Sequence, residues 1–352
     1  MNKVFINGIS AISAQDEDIF DTGNFQEFSS SIVKAKDQDY KAVIKPMMLR
    51  RMSQAVKMGL YCSKKALTEA GIIQPGAIII GTGQGCIQDT EKFMQSMIES
   101  EEGLLAPTSF IQSTHNTVGG QIALELNCNS YNMTYTQNSG SFESALLDSL
   151  MLINTGEETT VLVGGVDETS PAFTGFQVLD GQICKEQISG PDLLKKDTPG
   201  TMISESASFF VLDAKKQEKS YACVRDVCLK NRIQKQEPEQ LILEFLKSNE
   251  LDISEIDAVI LGNNGDCRYD GYYSGIQEAI FSKTAQLAYK HLVGDNHSIS
   301  AYAMWLGARI IAENRIPEAF QINHVTCDKI DKVLIYNQYL GKNHGLILLE
   351  KP

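Results

Sequence analysis

A chain of 352 residues with 43% apolar and 21% charged side chains can bury a large core, and its length predicts one large domain or two fused similar halves. Its 31 basic and 44 acidic residues leave a formal charge of −13. That charge opposes the counterion release nucleic-acid binders rely on, so DNA and RNA are poor candidate partners. An acidic protein or membrane surface would also be repelled unless a local basic patch such as Arg50, Arg51, Lys64 and Lys65 met it, and the commoner reading of such a patch is solvated helix surface.

The N-terminus, MNKVFINGISAIS, reads as a strand broken by Gly8 and lacks the layout of a secretory signal. No apolar run approaches the roughly 18 residues of a membrane span. Cys62, Cys86, Cys128, Cys184, Cys223, Cys228, Cys267 and Cys327 are scattered, with no CxxC pair and no histidine at zinc spacing. We expect reduced, mostly buried thiols in the cytoplasm, no metal site and no cofactor.

Strand-length apolar runs recur at Ile78–Ile80, Val161–Val163, Phe209–Leu212, Val259–Leu261, Val333–Ile335 and Leu346–Leu349. Helix-period stretches lie among them, as in Met58 to Ala70 and Phe142 to Ile153. Alternating strands and helices predict an α/β protein with largely buried sheets. A weak internal duplication relates GLYCSKKALTEAGIIQPGAIIIGTG, from Gly59, to ILEFLKSNELDISEIDAVILGNNG, from Ile242. It suits two related halves, 1–213 and 214–352, with the polar stretch Ala214 to Glu239 as their connection.

Taken in order, these segments resemble the β-ketoacyl synthases along nearly the whole chain. VFINGISAIS is similar to that family's opening strand, LRRMSQAVKMGLYCSKKALTEAGI to its first long helix and AIIIGTGQG to the next strand and turn. SFIQSTHNTVGGQIALEL resembles the approach to the nucleophile strand, VLVGGVDE the strand after the nucleophile helix, and TMISESASFFVLD a glycine-rich turn in which Ser204, Ser206 and Ser208 replace glycines. The resemblance implies a thiolase-like fold of two similar halves in α-β-α-β-α layers.

Such synthases hold an acyl chain on a cysteine at a helix N-terminus, where the dipole favours a thiolate, and use two histidines and a lysine to decarboxylate a malonyl unit. No cysteine lies between Ser130 and Ile153. Counting forward from Ser130 puts Gln137 on the nucleophile place; counting back from Gly164-Gly165 puts Ser139 there. Strand register favours Gln137, a residue that resembles the non-condensing chain length factors. The bland alternatives are that Gln137 bonds the helix N-terminus and that Ser139 is an N-cap. Cys128 is too far back to serve. In LGNNGD, Asn264 falls on the first histidine place and can donate a hydrogen bond but not relay a proton; alternatively, Asn263 and Asn264 only form a left-handed turn. Lys290-His291-Leu292-Val293-Gly294 resembles the second histidine segment, with His291 on the catalytic place. The lysine place holds Gln286, and using Lys283 instead would need a local bulge. Nothing comparable supports His297 or His324. LGKNHG, from Leu340, resembles the gating loop. Along the acyl path the resemblance places Leu340, Ile111, Thr114, Met133 and Phe142.

What these departures imply is a non-condensing, chain-length-factor-like subunit. It would pair with an active ketosynthase, or with its own copy, across the strand preceding Gln137, with Phe110 to Asn116 reaching that interface. Acyl carrier protein is the implied further partner and a bacterial aryl polyene or flexirubin-type pathway the implied setting, within fatty acid and polyketide biosynthesis. An acyltransferase using Ser139 and His291, and a carrier-protein scaffold without chemistry, are the alternatives.

Overall fold

The computed structural model describes residues 3–50 and 52–352; Arg51 of the basic patch lies outside them. In chain order the first half runs β1 (Val4–Ile12), α1 (Ile19–Thr22), β2 (Ile32–Val33), α2 (Pro46–Leu49), α3 (Gln54–Ala70) and β3 (Ala77–Gly81). It continues with α4 (Ile87–Glu99), α5 (Pro107–Gln112), α6 (Thr117–Leu126), β4 (Tyr131–Tyr135), α7 (Ser141–Thr155), β5 (Thr160–Asp167), α8 (Pro171–Leu179), β6 (Ile203–Ser204) and β7 (Ser206–Asp213). The second half holds β8 (Ala222–Asn231), α9 (Pro238–Ser248), β9 (Ala258–Leu261), α10 (Gly271–Ala279), β10 (Ala285–Ala288), α11 (Lys290–Val293), α12 (Ser300–Glu313), β11 (Lys332–Tyr339) and β12 (Asn343–Glu350).

The strands join in the order β10-β9-β11-β12-β8-β1-β7-β5-β3-β4, five from each half, and the halves meet where Val4 to Ile6 pair antiparallel with Ala222 to Val224. The stretch Ala214 to Glu239 is therefore not a linker: it contains β8, whose Ala222, Cys223 and Val224 are buried against β1 while its far end is exposed. Its lysines and glutamates flank the strand and mask it in the sequence.

Side-chain alternation fills both faces of each half-sheet. Ile78, Ile80 and Leu162 face one core with α3 and α6, whereas Ile79, Val161 and Val163 face the central core. In the second half Ala258 and Ile260 join that central core, and Val259 and Leu261 turn toward α9 and α10. Helices α7 and α12 supply the central core and touch strands of both halves. The order is helix, sheet, paired central helices, sheet, helix, the α-β-α-β-α arrangement expected. The N-terminal end of α7 and the segment leading into α12 are thus the elements both halves can reach.

Candidate active-site pocket

Parallel pairing of β3 with β5 sets Gly81 against Gly165, so the chain leaves both strands on the same side. Asp167, the last residue of β5, fixes the turn after β3: its Oδ1 accepts from Thr82 Oγ1 at 2.9 Å, Gly83 N at 2.9 Å and Gln84 N at 3.1 Å. Gly83 is required there because a Cβ would lie 2.3 Å from the Cβ of His297. His297 enters from the segment before α12, packs its ring 4.9 Å from that of Tyr339 and 6.2 Å from that of Phe173, and is 6% exposed. Burial pulls its pKa below the usual histidine value, against the opposing pull of Asp167 and Asp295.

The second half contributes an anchored polar chain. Asn264 Nδ2 donates to Asp295 Oδ2 at 2.8 Å, and Lys290 Nζ stands 3.0 Å from Asp295 Oδ1, with both charged side chains buried. Asp270 accepts the backbone N–H of Asn264 at 3.1 Å and of Gly265 at 2.9 Å, and Thr201 Oγ1 donates to the Asn264 carbonyl at 2.6 Å. Gly265 sits at φ +78°, where a side chain would be strained. The left-handed position of this turn is thus the glycine after Asn264, while the asparagine amide does specific bonding. Burial raises the Asp270 carboxyl to about 6 despite the two N–H bonds.

Asn264, His297, Asp167, Asp295, Tyr339 and Leu340 meet at one cavity of about 40 Å³. Of the residues predicted from sequence, this cavity brings together Asn264 and Leu340, the latter at φ +51°. His291 is elsewhere. α11 is a single turn ended by Gly294 at φ +80°, so the chain reverses: Lys290 turns toward Asp295 and His291 toward a separate surface cleft with Phe25 and Glu318. Burial pushes His291 down to about 4.

The histidine in the cavity is His297, six positions on, and the lysine beside it is Lys290. Sequence reading missed both, together with Asp167 and Asp295. The available signal was that Asn296-His297-Ser298 directly precede the longest apolar helix of the second half, as a residue entering the central layer must. Gln286 does not stand in for the lysine. It lies in β10, donating to the carbonyls of Gln277 and Phe281 at 2.9 Å each. Lys283 and His324 are exposed.

At the nucleophile place the turn between β4 and α7 pivots on Asn138, at φ +51°, midway between the two sequence counts. Gln137 is exposed; its Oε1 accepts from Ser144 Oγ at 2.7 Å and its N–H donates to Ser141 Oγ at 2.8 Å. Gln137 therefore bonds the first turn of the helix. Ser139 is buried, and no histidine hydrogen-bonds it among the described residues. A Ser139–His291 pair is ruled out by His291's position in the other cleft. Neither Gln137 nor Ser139 lines the cavity. Phe142 is fully buried in the central core, 5.8 Å from the ring of Phe210, and is packing, not a substrate contact. Cys128 is buried, 3.6 Å from the Pro75 carbonyl. Burial raises the thiols of Cys62 and Cys86 to about 12, so neither is a thiolate near neutral pH.

None of Ile111, Thr114 and Met133 lines the cavity. β4 is an edge strand of the sheet, where Tyr131 and Met133 are exposed, and the neighbouring α7 exposes Leu147 and Met151; Phe110 and Ile111 are exposed on α5. The basic patch is dispersed: Lys64 bonds Glu125 and the Val43 carbonyl at 2.6 Å each, and Lys65 lies over the Tyr61 ring. Among the described residues no three His, Cys, Asp or Glu side chains are grouped to hold a metal, and no helix is long and apolar enough to cross a membrane.

Residues 26–187 match the family model for the β-ketoacyl synthase N-terminal domain. The chain has a β-ketoacyl synthase-like fold. Its whole length superposes on the ishigamide ketosynthase/chain length factor with a TM-score of 0.83 at 16% identity, covering 99% of that chain. A β-ketoacyl synthase from Burkholderia phymatum gives 0.84 at 15% identity over all of both chains. The complex of the ketosynthase ApeO with its chain length factor ApeC, from Xenorhabdus doucetiae, gives 0.77 at 16% identity over 100% of this chain and 98% of that one. No protein of curated function matches significantly in sequence. In this ketosynthase-like chain the fold is kept while the turn Gln137-Asn138-Ser139 carries no thiol.

Proposed function

We propose that the protein is a non-condensing, chain-length-factor-like subunit that pairs with an active ketosynthase and shapes a tunnel shared with it. The observation that carries this reading is the thiol-free turn at the start of α7 beside an exposed, apolar edge strand. A ketosynthase without a nucleophile has no covalent step to perform. A strand paired on one side only, with Tyr131 and Met133 39% and 38% exposed, is a surface that a second chain covers. A homodimer would use the same edge. The setting we assign is bacterial polyketide biosynthesis in the cytoplasm, with polyenes of the aryl polyene type as the product class and acyl carrier protein as the carrier of the chain. Support comes from likeness to the ketosynthase–chain length factor complex and to a type II polyketide ketosynthase whose complex contains an acyl-carrier protein.

If Ile111, Thr114 and Met133 approach the shared tunnel, a ring placed there removes room for a few methylenes, each worth ~0.8 kcal/mol of burial. Co-expression of Thr114→Trp or Met133→Trp with the cognate ketosynthase should shorten the products seen by mass spectrometry without abolishing synthesis. Unchanged chain length in both variants, with the heterodimer intact, would overturn the tunnel role.

A further inference from the structure

We propose that the cavity at Asp167 binds the ammonium end of a primary alkylamine, with the alkyl tail lying in the groove between α4 and α8. This site is independent of the subunit role above, and its test reads binding, not chain length.

Asp167 is 2% exposed, and the three donors from Thr82, Gly83 and Gln84 all fall on Oδ1. Oδ2 has no partner. Ser204, 1% exposed and lining the same cavity, also has an unpartnered Oγ. The remaining acidic groups of the wall are answered from within the protein. Asp295 has Lys290 and Asn264, and Asp266 accepts from Arg268 at 2.9 and 2.7 Å. Glu168 accepts the backbone N–H of Ala55 at 2.8 Å and of Gln88 at 2.9 Å. Asp167 forms no ion pair with a lysine or arginine among the described residues. A buried carboxylate oxygen without a donor is costly, and a donor from outside the chain removes the cost.

The walls favour a cation over a neutral donor. The rings of Phe173, Tyr339 and His297 border the cavity, and aromatic faces attract a positive charge. Burial disfavours the charged form of His297. The cavity of about 40 Å³ admits a head the size of methylammonium. Phe173 and Thr169 also border a groove of about 1000 Å³, whose other walls include Ile87, Met94, Ile98 and Phe176. An ammonium at Asp167 thus has an apolar path for its tail, whereas a carboxylate in the same place would face a like charge.

The test is calorimetric titration of the full chain at pH 7 with octylammonium, octan-1-ol and octanoate. Octylammonium should bind at least tenfold tighter than octanol, and octanoate not measurably. Affinity should rise from butylammonium to decylammonium as the tail fills the groove. Asp167→Asn keeps an acceptor for the three donors and turns an amide N–H₂ toward the cavity, so it should lower octylammonium affinity at least tenfold and leave octanol within threefold. Ser204→Ala, a smaller change that spares the turn, should lower it severalfold. Equal affinity for amine and alcohol in the unaltered protein would overturn the proposal, as would amine binding unchanged in Ser204→Ala and in folded Asp167→Asn.

Discussion

Asn264 Nδ2 donates to Asp295 Oδ2 at 2.8 Å, so the amide is committed to a buried carboxylate that also pairs with Lys290. One of the two amide N–H donors of Asn264 is thereby spent on holding the polar chain together. This network ties Asn264, Asp295 and Lys290 together across the pocket.

The purified chain, given malonyl-carrier protein and an acyl primer, should form no ketoacyl product detectable by mass spectrometry. Gln137→Cys should not restore it, because position 137 bonds Ser144 and Ser141 outside the cavity and residues of a catalytic unit act non-additively. Turnover of ~1 s⁻¹ or above by either protein would refute the non-condensing reading.

Gln286→Lys should damage the fold without any gain in activity. Gln286, 6% exposed, donates to the Gln277 and Phe281 carbonyls; a lysine would forfeit that geometry and bury a charge with no carboxylate partner. The expected loss is about 3 kcal/mol, read as a lower denaturant midpoint. A midpoint within error of the unaltered protein would mean β10 tolerates a cation.

At the sheet edge, a charge should be poorly tolerated once a partner covers it. Met133→Lys combined with Ile111→Lys should leave the monomer folded and weaken association with the cognate ketosynthase, or self-association, at least a hundredfold, measured by light scattering after gel filtration. Full association of the double variant would place the interface elsewhere.

Glu143, fully buried in α7 with Oε2 unpartnered, has its carboxyl raised by desolvation to about 7 from an unfolded value near 4.5. Because the folded pKa is the higher one, its contribution is fully present below pH 4.5 and is lost as pH rises through about 7. The difference amounts to about 3 kcal/mol. Glu143→Gln should therefore melt higher than the unaltered protein at pH 8 and flatten, without abolishing, the fall in melting temperature between pH 5 and 8. Glu168 and Asp270, raised to about 7 and about 6, retain slopes of the same sign. His291 and His344, lowered to about 4, act oppositely: their contribution is lost as pH falls below the unfolded value near 6.5. A parallel pH profile in the variant would show that Glu143 is ionised in the folded protein.

The sequence by itself determined the layered fold. Buried strands such as Ile78–Ile80 and Val259–Leu261 are continuous apolar runs because both of their faces are covered, and a central helix such as α7 is apolar on several sides, so local pattern and burial agree. It also determined that no thiol stands between Ser130 and the end of α7, and its resemblance singled out Asn264 and Leu340, both of which line the cavity. β8 stayed hidden because a strand at the seam is only half buried and carries charges. The cavity histidine was decided by tertiary structure alone. Lys290-His291-Leu292 and Asn296-His297-Ser298 offer two histidines within one short reversal, and which of them points inward depends on the single turn of α11, on Gly294 at φ +80° and on the space that Gly83 leaves across the pocket. None of these is a local propensity: each is a contact between segments more than 200 residues apart or a backbone reversal, and only the assembled core fixes them.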